Sequence, residues 1–291
     1  MMVLADLKDQ IPLREISRIS GISLSGYYYR PRKRHVQRLD PSTRERIKGI
    51  ASERPTYGYR RVWALLRNQG TRVNQKTVRK VLKDSNLSLP ASKHRGRTKS
   101  RNLFRPHGTD QLWETDITYI PTESGMTYLM RIKDCFTKEW QGYHYSRSCM
   151  ARDAIRSVEN AVLMAFNGSV PEGLVLRTDN GPQYISREFR NAMKLLCIKL
   201  EYIQKHTPVD NGNIESFHNS IKTDYIWPNE LRDFHGSAVA IEEAFTDYNE
   251  CRPHSSIDYL PPREFRRKFL GDSSFRERFE RKEGGVTLDE N

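Results

Sequence analysis

The spacing of apolar positions divides the chain into a helical front and a mixed back. Leu13, Ile16 and Ile19 recur at helical spacing, Gly21 ends the pattern, and Ser23 stands where a second short helix would be capped. Helix, glycine turn and helix over 12–29 fit a helix-turn-helix, and fit a plain helical hairpin equally well. A second unit follows. Residues 42–53 put Ile47, Ile50 and Ala51 on one helical face. In TYGYRRVWALLRNQG the stripe is Val62, Leu65 and Leu66, with Gly70 as the stop; in QKTVRKVLKDSN, capped by Asn74, it is Val78, Val81 and Leu82. From residue 111 the period changes to two. QLWETDITYI places Leu112, Glu114, Asp116, Thr118 and Ile120 on one face of a strand and Trp113, Thr115, Ile117 and Tyr119 on the other. Strands are expected over 126–132, 139–146, 173–178 and 199–204, and helices over 151–166, 186–197 and about 213–225. That order is a mixed α/β layer arrangement.

Charge sharpens the division. Of the 291 residues, the first 110 hold 26 Lys and Arg against 8 Asp and Glu, an excess of 18, whereas the remainder is acidic by 5. A basic excess confined to the front points to a polyanion-binding region joined to a part of a different kind. Arg60, Arg61, Arg67, Arg72, Lys76, Arg79, Lys80 and Lys83 are expected on the solvent side of the second unit, opposed only by Asp84 between Arg54 and residue 109. One-signed helical faces of this kind favour contact with DNA phosphates. Residues 89–106 carry six basic residues, among them Lys93, Arg95, Arg97, Lys99 and Arg101, with no acid and no apolar period. They read as a linker able to follow a DNA backbone.

The chemistry-bearing candidates lie in the back part. Asp116 sits mid-strand among apolar residues, where an ionised group is costly unless compensated. Asp179, in RTDNGPQY, ends the 173–178 strand, the place where α/β sheets present ligands. Glu215 falls in the first turn of the 213–225 helix, with 35 residues between it and Asp179. Lys222 lies two turns further on the same face.

The segments WETDITYI, RTDNGPQY and NGNIESFHNSIK resemble the three acidic motifs of DDE transposases and retroviral integrase cores. TYGYRRVWALLR and YNECRPHSSIDYLPPREF are similar to the OrfB-type transposases of bacterial insertion sequences, and the resemblance runs from about residue 11 to 270. It implies an RNase H-like mixed sheet with flanking helices over 109–270. Before it come all-α helix-turn-helix DNA-binding segments over 1–88 and a basic linker over 89–108; after it, 271–291 reads as a polar, disordered tail. It implies that Asp116, Asp179 and Glu215 hold two Mg²⁺ ions, with Mn²⁺ as a substitute, for 3′-end cleavage and strand transfer by transesterification. Lys222 would bind a phosphate next to the cleaved bond, and Asn180 would orient a water or a phosphate. Double-stranded DNA is the implied partner, bound by a homo-oligomer, alone or with the product of an upstream reading frame. A leucine-heptad segment is absent, so both the complete transposase and the downstream frame alone stay open.

Rival readings are a catalytically inactive or regulatory DNA-binding relative, disfavoured by three retained carboxylates, and a nuclease of RNA–DNA hybrids, disfavoured by helices suited to B-form major grooves. Cys135, Cys149, Cys197 and Cys251 form no C-x-x-C pair. His206 and His218 lack cysteine partners, so no zinc site is expected. No run reaches the roughly 18 apolar residues of a membrane span, and no secretory signal is expected in MMVLADLKDQ, which carries two aspartates and no long apolar core. The expected location is the bacterial cytoplasm, on the nucleoid.

Overall fold

A computed structural model describes residues 12–21, 23, 39–90, 104–203, 220–228 and 233–280. The chain divides into two compact units, 1–41 and 42–291. In the first, helix α1 (Leu13–Ser20) closes on Gly21, whose φ of 69° is the left-handed cap that glycine adopts without strain. The helix expected after Ser23 lies outside the described residues.

The second unit begins with α2 (Pro41–Glu53), α3 (Tyr59–Asn68) and α4 (Gln75–Asp84). The expected apolar stripes turn inward. Ile47, Ala51, Val62, Ala64, Leu66, Val78, Val81 and Leu82 are buried, and Asn74 caps α4 by accepting from the Lys76 amide at 2.8 Å. These helices share a unit with a five-stranded sheet made of β1 (Leu112–Thr122), β2 (Gly125–Asp134), β3 (Trp140–Ser146), β4 (Val175–Thr178) and β5 (Lys199–Tyr202). Its order is β3-β2-β1-β4-β5. The first three strands form an antiparallel meander; β4 pairs parallel with β1, and β5 parallel with β4.

Helix α5 (Ala151–Phe166), the four-residue α6 (Pro182–Ile185) and α7 (Arg187–Leu195) cover one face, over a core containing Trp113, Met130, Ile132, Ala161, Leu176 and Phe189. The opposite face carries Ile120, Leu129 and Trp140. It is covered by a π-helical turn at Lys222–Ile226 and by α8 (Phe234–Glu250), through Ile226, Ile241, Phe245 and Tyr248. The exposed backbone at the start of edge strand β3 is closed by Asn249. Its amide accepts from the Trp140 N–H and donates to the Trp140 carbonyl, both at 2.9 Å.

Two expectations change. The helix expected to reach residue 225 widens into the π-turn at Lys222. The 271–291 tail, expected to be disordered, begins with a helix. After α9 (Pro262–Gly271), residues Ser273–Glu280 form α10. Phe275 and Phe279, one turn apart, pack on Phe265 with ring centroids at 5.7 and 4.9 Å. Aromatic burial outweighs the polar composition that suggested disorder. Among the described residues no helix is long and apolar enough to cross a membrane.

The front helices are tied to the core by Arg54, which donates through both terminal nitrogens to Asp247, at 2.7 and 2.5 Å, while Tyr225 donates to the same carboxylate at 2.7 Å. Burial pushes the Asp247 carboxyl up, but these bonds outweigh it and hold it below the usual carboxylate range. A depressed folded-state pKa contributes stability above the unfolded value and loses it as pH falls through the folded one. The stability gap between wild type and Asp247→Asn is therefore expected to narrow below about pH 4. A double-mutant cycle with Arg54→Ala should give a coupling of about 1–3 kcal/mol at neutral pH; a coupling near zero would dismiss the tie. On the other face, a Cβ at Gly142 would lie 2.6 Å from Ala161 Cα, so α5 rests directly on β3. Gly142→Ala is expected to cost about 1–3 kcal/mol in denaturant unfolding, because rigid backbone must move.

Candidate active site

The parallel register pairs Glu114 with Arg177. Continuing it by two residues sets Asp116 of β1 abreast of Asp179, immediately past the end of β4. Both are on the sheet face covered by the π-turn and α8. The alternation read from the sequence thus sets Asp116, in the middle of β1, beside Asp179 at the end of β4, on the face shared by Glu114 and Asp116. Burial is the main force raising the Asp116 carboxyl, to about 6. Arg131, its cross-strand partner on β2, and the Ile117 N–H at 2.7 Å oppose that rise, and Asp179 adds to it. Arg131 is itself fully buried, and burial lowers its guanidinium to about 10.

The loop bearing Asp179 is fixed from several sides. Its carboxylate accepts from the Gly181 N–H at 2.8 Å. The Asn180 amide donates to the Ile203 carbonyl at 2.5 Å, tying the loop to the end of β5. In α6, Gln183 donates to the Cys149 carbonyl at 3.0 Å and Tyr184 shares a hydrogen bond with Thr115 at 3.2 Å. A Cβ at Gly181 would come within 2.9 Å of the Asp179 carboxylate. The site therefore presents carboxylate oxygen held by a rigid frame, the donor type that suits hard divalent cations.

The other expected residues fall as follows. Glu215, His206 and His218 lie outside the described residues, as do Lys93, Arg95, Arg97, Lys99 and Arg101. Lys222 is partly buried and opens the π-turn. Asn180, expected to orient a water or a phosphate, spends its amide donor on the Ile203 carbonyl. Among the described residues no three His, Cys, Asp or Glu form a metal-binding group. Glu114 is buried between Lys133 at 3.3 Å and Arg177 at 3.2 Å. Asp134 was not singled out by the sequence. It is fully buried, but its oxygens accept from the backbone of Asp110, Phe136 and Thr137, which makes it the organiser of the β2–β3 turn.

On the front helices Arg60, Lys76, Arg79 and Lys80 are exposed. Arg61 and Arg67, expected on that solvent side, instead turn to the core. Arg61 lies 3.6 Å from Asp224, which also accepts from Arg252 at 2.9 Å, and Arg67 bonds the Asp258 carbonyl and stacks on Trp63. Carboxylates distant in sequence supply the counter-charge that the local pattern lacks.

Residues 106–208 and 196–262 match the Integrase core domain family, and residues 40–95 match the HTH-like domain family. The fold also aligns with a chain of the simian T-cell lymphotropic virus intasome in complex with PP2A regulatory subunit B56 gamma, at 19% identity and a TM-score of 0.49, covering 76% of this chain and 74% of that one. The transposase for insertion sequence element IS904 of Lactococcus lactis is 31% identical over 81% of this chain and 97% of its own length. Transposase InsD for insertion element IS2 of Escherichia coli is 32% identical over 81% of each. With that identity sustained across an HTH-like domain and an integrase core, the chain belongs to the insertion-sequence transposases, DNA-binding polynucleotidyl transferases of the DDE type.

Proposed function

We propose that the chain cleaves the 3′ ends of an insertion sequence and joins them to target DNA, with Asp116, Asp179 and Glu215 as the metal-holding carboxylates. The observation carrying this reading is the placement of Asp116, within β1, beside Asp179, just past the end of the parallel strand β4, two like charges in a half-buried site. A bound pair of Mg²⁺ ions, or Mn²⁺ in their place, would supply Lewis-acid stabilisation of the attacking and leaving oxygens. In this reading Asp116 is the shared ligand, and Asp179 and Glu215 each hold one side. The bonds to Ile117 and Gly181 fix the two described carboxylates before substrate arrives, which lowers the cost of ordering them in the reaction. Lys222 holds a phosphate beside the cleaved bond as a point charge. Lys76, Arg79 and Lys80, along the exposed side of α4, contact DNA phosphates together with Arg60 and the basic 89–106 segment. Work on two element ends requires a homo-oligomer on DNA, formed alone or with the product of an upstream frame, on the nucleoid of the bacterial cytoplasm.

With labelled element ends and Mg²⁺, wild type is expected to give nicked 3′ ends and joined products, and EDTA to abolish both. Asp116→Asn, Asp179→Asn and Glu215→Gln should each lower joining by at least about 100-fold with DNA affinity retained. Joining at the wild-type rate by any of them would remove that residue from the site. Gly181→Ala, which displaces the Asp179 carboxylate, should lower the single-turnover rate while leaving DNA affinity intact. A readout independent of catalysis is the melting temperature without metal. Asp116→Asn removes a half-buried charge and should raise it by a few degrees.

A further inference from the structure

A cavity of about 360 Å³ lies between α3 and the segment that follows α8, within the second unit. Arg60, Arg61, Lys133, Lys138 and Arg252 line it, and among the described residues no Asp or Glu does. Its floor is buried: Arg252 and Tyr248 are each 1% exposed, and Lys133 is 4% exposed. Its rim is open at Arg60, Ser255 and Ser256.

The carboxylates behind this wall do not balance it. Asp224 is shared between Arg61 and Arg252, and Glu114 between Lys133 and Arg177. Lys138 bonds only a neutral oxygen, the Cys135 carbonyl, among the contacts described for it. Arg252 donates through Nε to Asp224 and through Nη1 towards His254 Nε2 at 3.0 Å. Its Nη2, buried in the cavity wall, has no hydrogen-bond partner among the described residues. A buried N–H of a guanidinium without an acceptor is costly, and its natural complement is an anionic oxygen. His254 is in keeping with this: burial, then the surrounding Arg252, Arg61, Lys138 and Lys133, hold its imidazole well below its ordinary value, so it is neutral and accepts from Arg252.

The position narrows the class of anion. Lys133 and Glu114 form the rung of the β1–β2 ladder two residues from the Asp116–Arg131 rung, about 7 Å along the strand and on the same face. Arg60 and Arg61 belong to the HTH-like region. The geometry points to this cavity as a seat for one phosphodiester of the DNA backbone, close to the reacting one and gripped from both α3 and the core. This rests on the transposase reading and extends it. The volume accepts a phosphate with its sugar, and the rim at Ser255 and Ser256 lets a continuous strand pass. An occupied seat adds an anion where the α3–core seam has excess positive charge, so DNA binding tightens the docking of the front helices on the core.

The test inserts a carboxylate at the rim of the full chain with Ser256→Asp, and places the same charge away from the cavity with Ser273→Asp as a control. Inorganic phosphate, followed by ³¹P NMR and by its effect on melting temperature, should bind wild type and the control and bind Ser256→Asp at least about tenfold more weakly. Binding to duplex DNA measured against salt should lose about 0.9 from the slope of log K on log salt in Ser256→Asp, one phosphate contact, and show no such loss in the control. Arg60→Gln should lower the slope likewise, without dependence on how residue 256 folds. Failure of phosphate to bind wild type overturns the site. Phosphate binding with an unchanged DNA slope in Ser256→Asp makes the occupant a free anion and overturns the DNA assignment. Wild type that binds phosphate but no duplex would sink the transposase reading itself, a result distinct from either.

Discussion

Charges on a sheet face that is covered by packed helices must be met rung by rung, and the arrangement of this protein follows from how they are met. On the face beneath the π-turn and α8, Glu114 lies opposite Lys133 and Asp116 opposite Arg131. Arg177 closes on Glu114 from β4. The lower rung thus carries two cations for one carboxylate, and the upper rung one for one. At the upper rung a second acid, Asp179, arrives from β4, and the local sum becomes negative at the point where β4 ends. A carboxylate pushed up to about 6 by burial beside another carboxylate is a group that gains by taking a cation.

The second consequence concerns the front helices. The segments TYGYRRVWALLR and YNECRPHSSIDYL, far apart in the chain, meet at one seam. Arg54 pairs with Asp247, Arg61 and Arg252 share Asp224, Trp63 meets Tyr259 edge-on at 5.7 Å, and Asn68 donates to the Tyr259 carbonyl at 3.1 Å. Of the eight basic residues expected on the solvent side, Arg61 and Arg67 are therefore structural, while Arg60, Arg72, Lys76, Arg79, Lys80 and Lys83 stay exposed. A seam held by bidentate and shared ion pairs fixes orientation more than it adds stability, since desolvation offsets much of the attraction.

The sheet and its α5 cover were legible because alternation and the 3.6-residue period are local signals. Ala154, Val158, Ala161 and Val162 fall inward as their spacing requires. The positions of Asp116 and Asp179 were legible for the same reason. What escaped depends on partners far along the chain. Arg54 and Asp247 are 193 residues apart, and nothing near either marks it as paired. Asp134 resembles any candidate ligand until the backbone donors around it are known. The close approach at Gly142, and the π-turn at Lys222, depend on how elements pack rather than on their own residues. The aromatic pair that makes α10 helical is visible in the sequence, but its partner Phe265 is not.

Direct titration of the metal-free full chain with Mn²⁺, followed by the loss of the free-ion paramagnetic resonance signal at neutral pH, addresses the carboxylate pair without any dependence on DNA or turnover. Saturable binding in wild type, weakened at least about tenfold by Asp116→Asn and by Asp179→Asn alike and unchanged by Asp247→Asn, is the expected result. Equal Mn²⁺ affinity in wild type and in both site variants would contradict the assignment of these two neighbouring acids as a metal site.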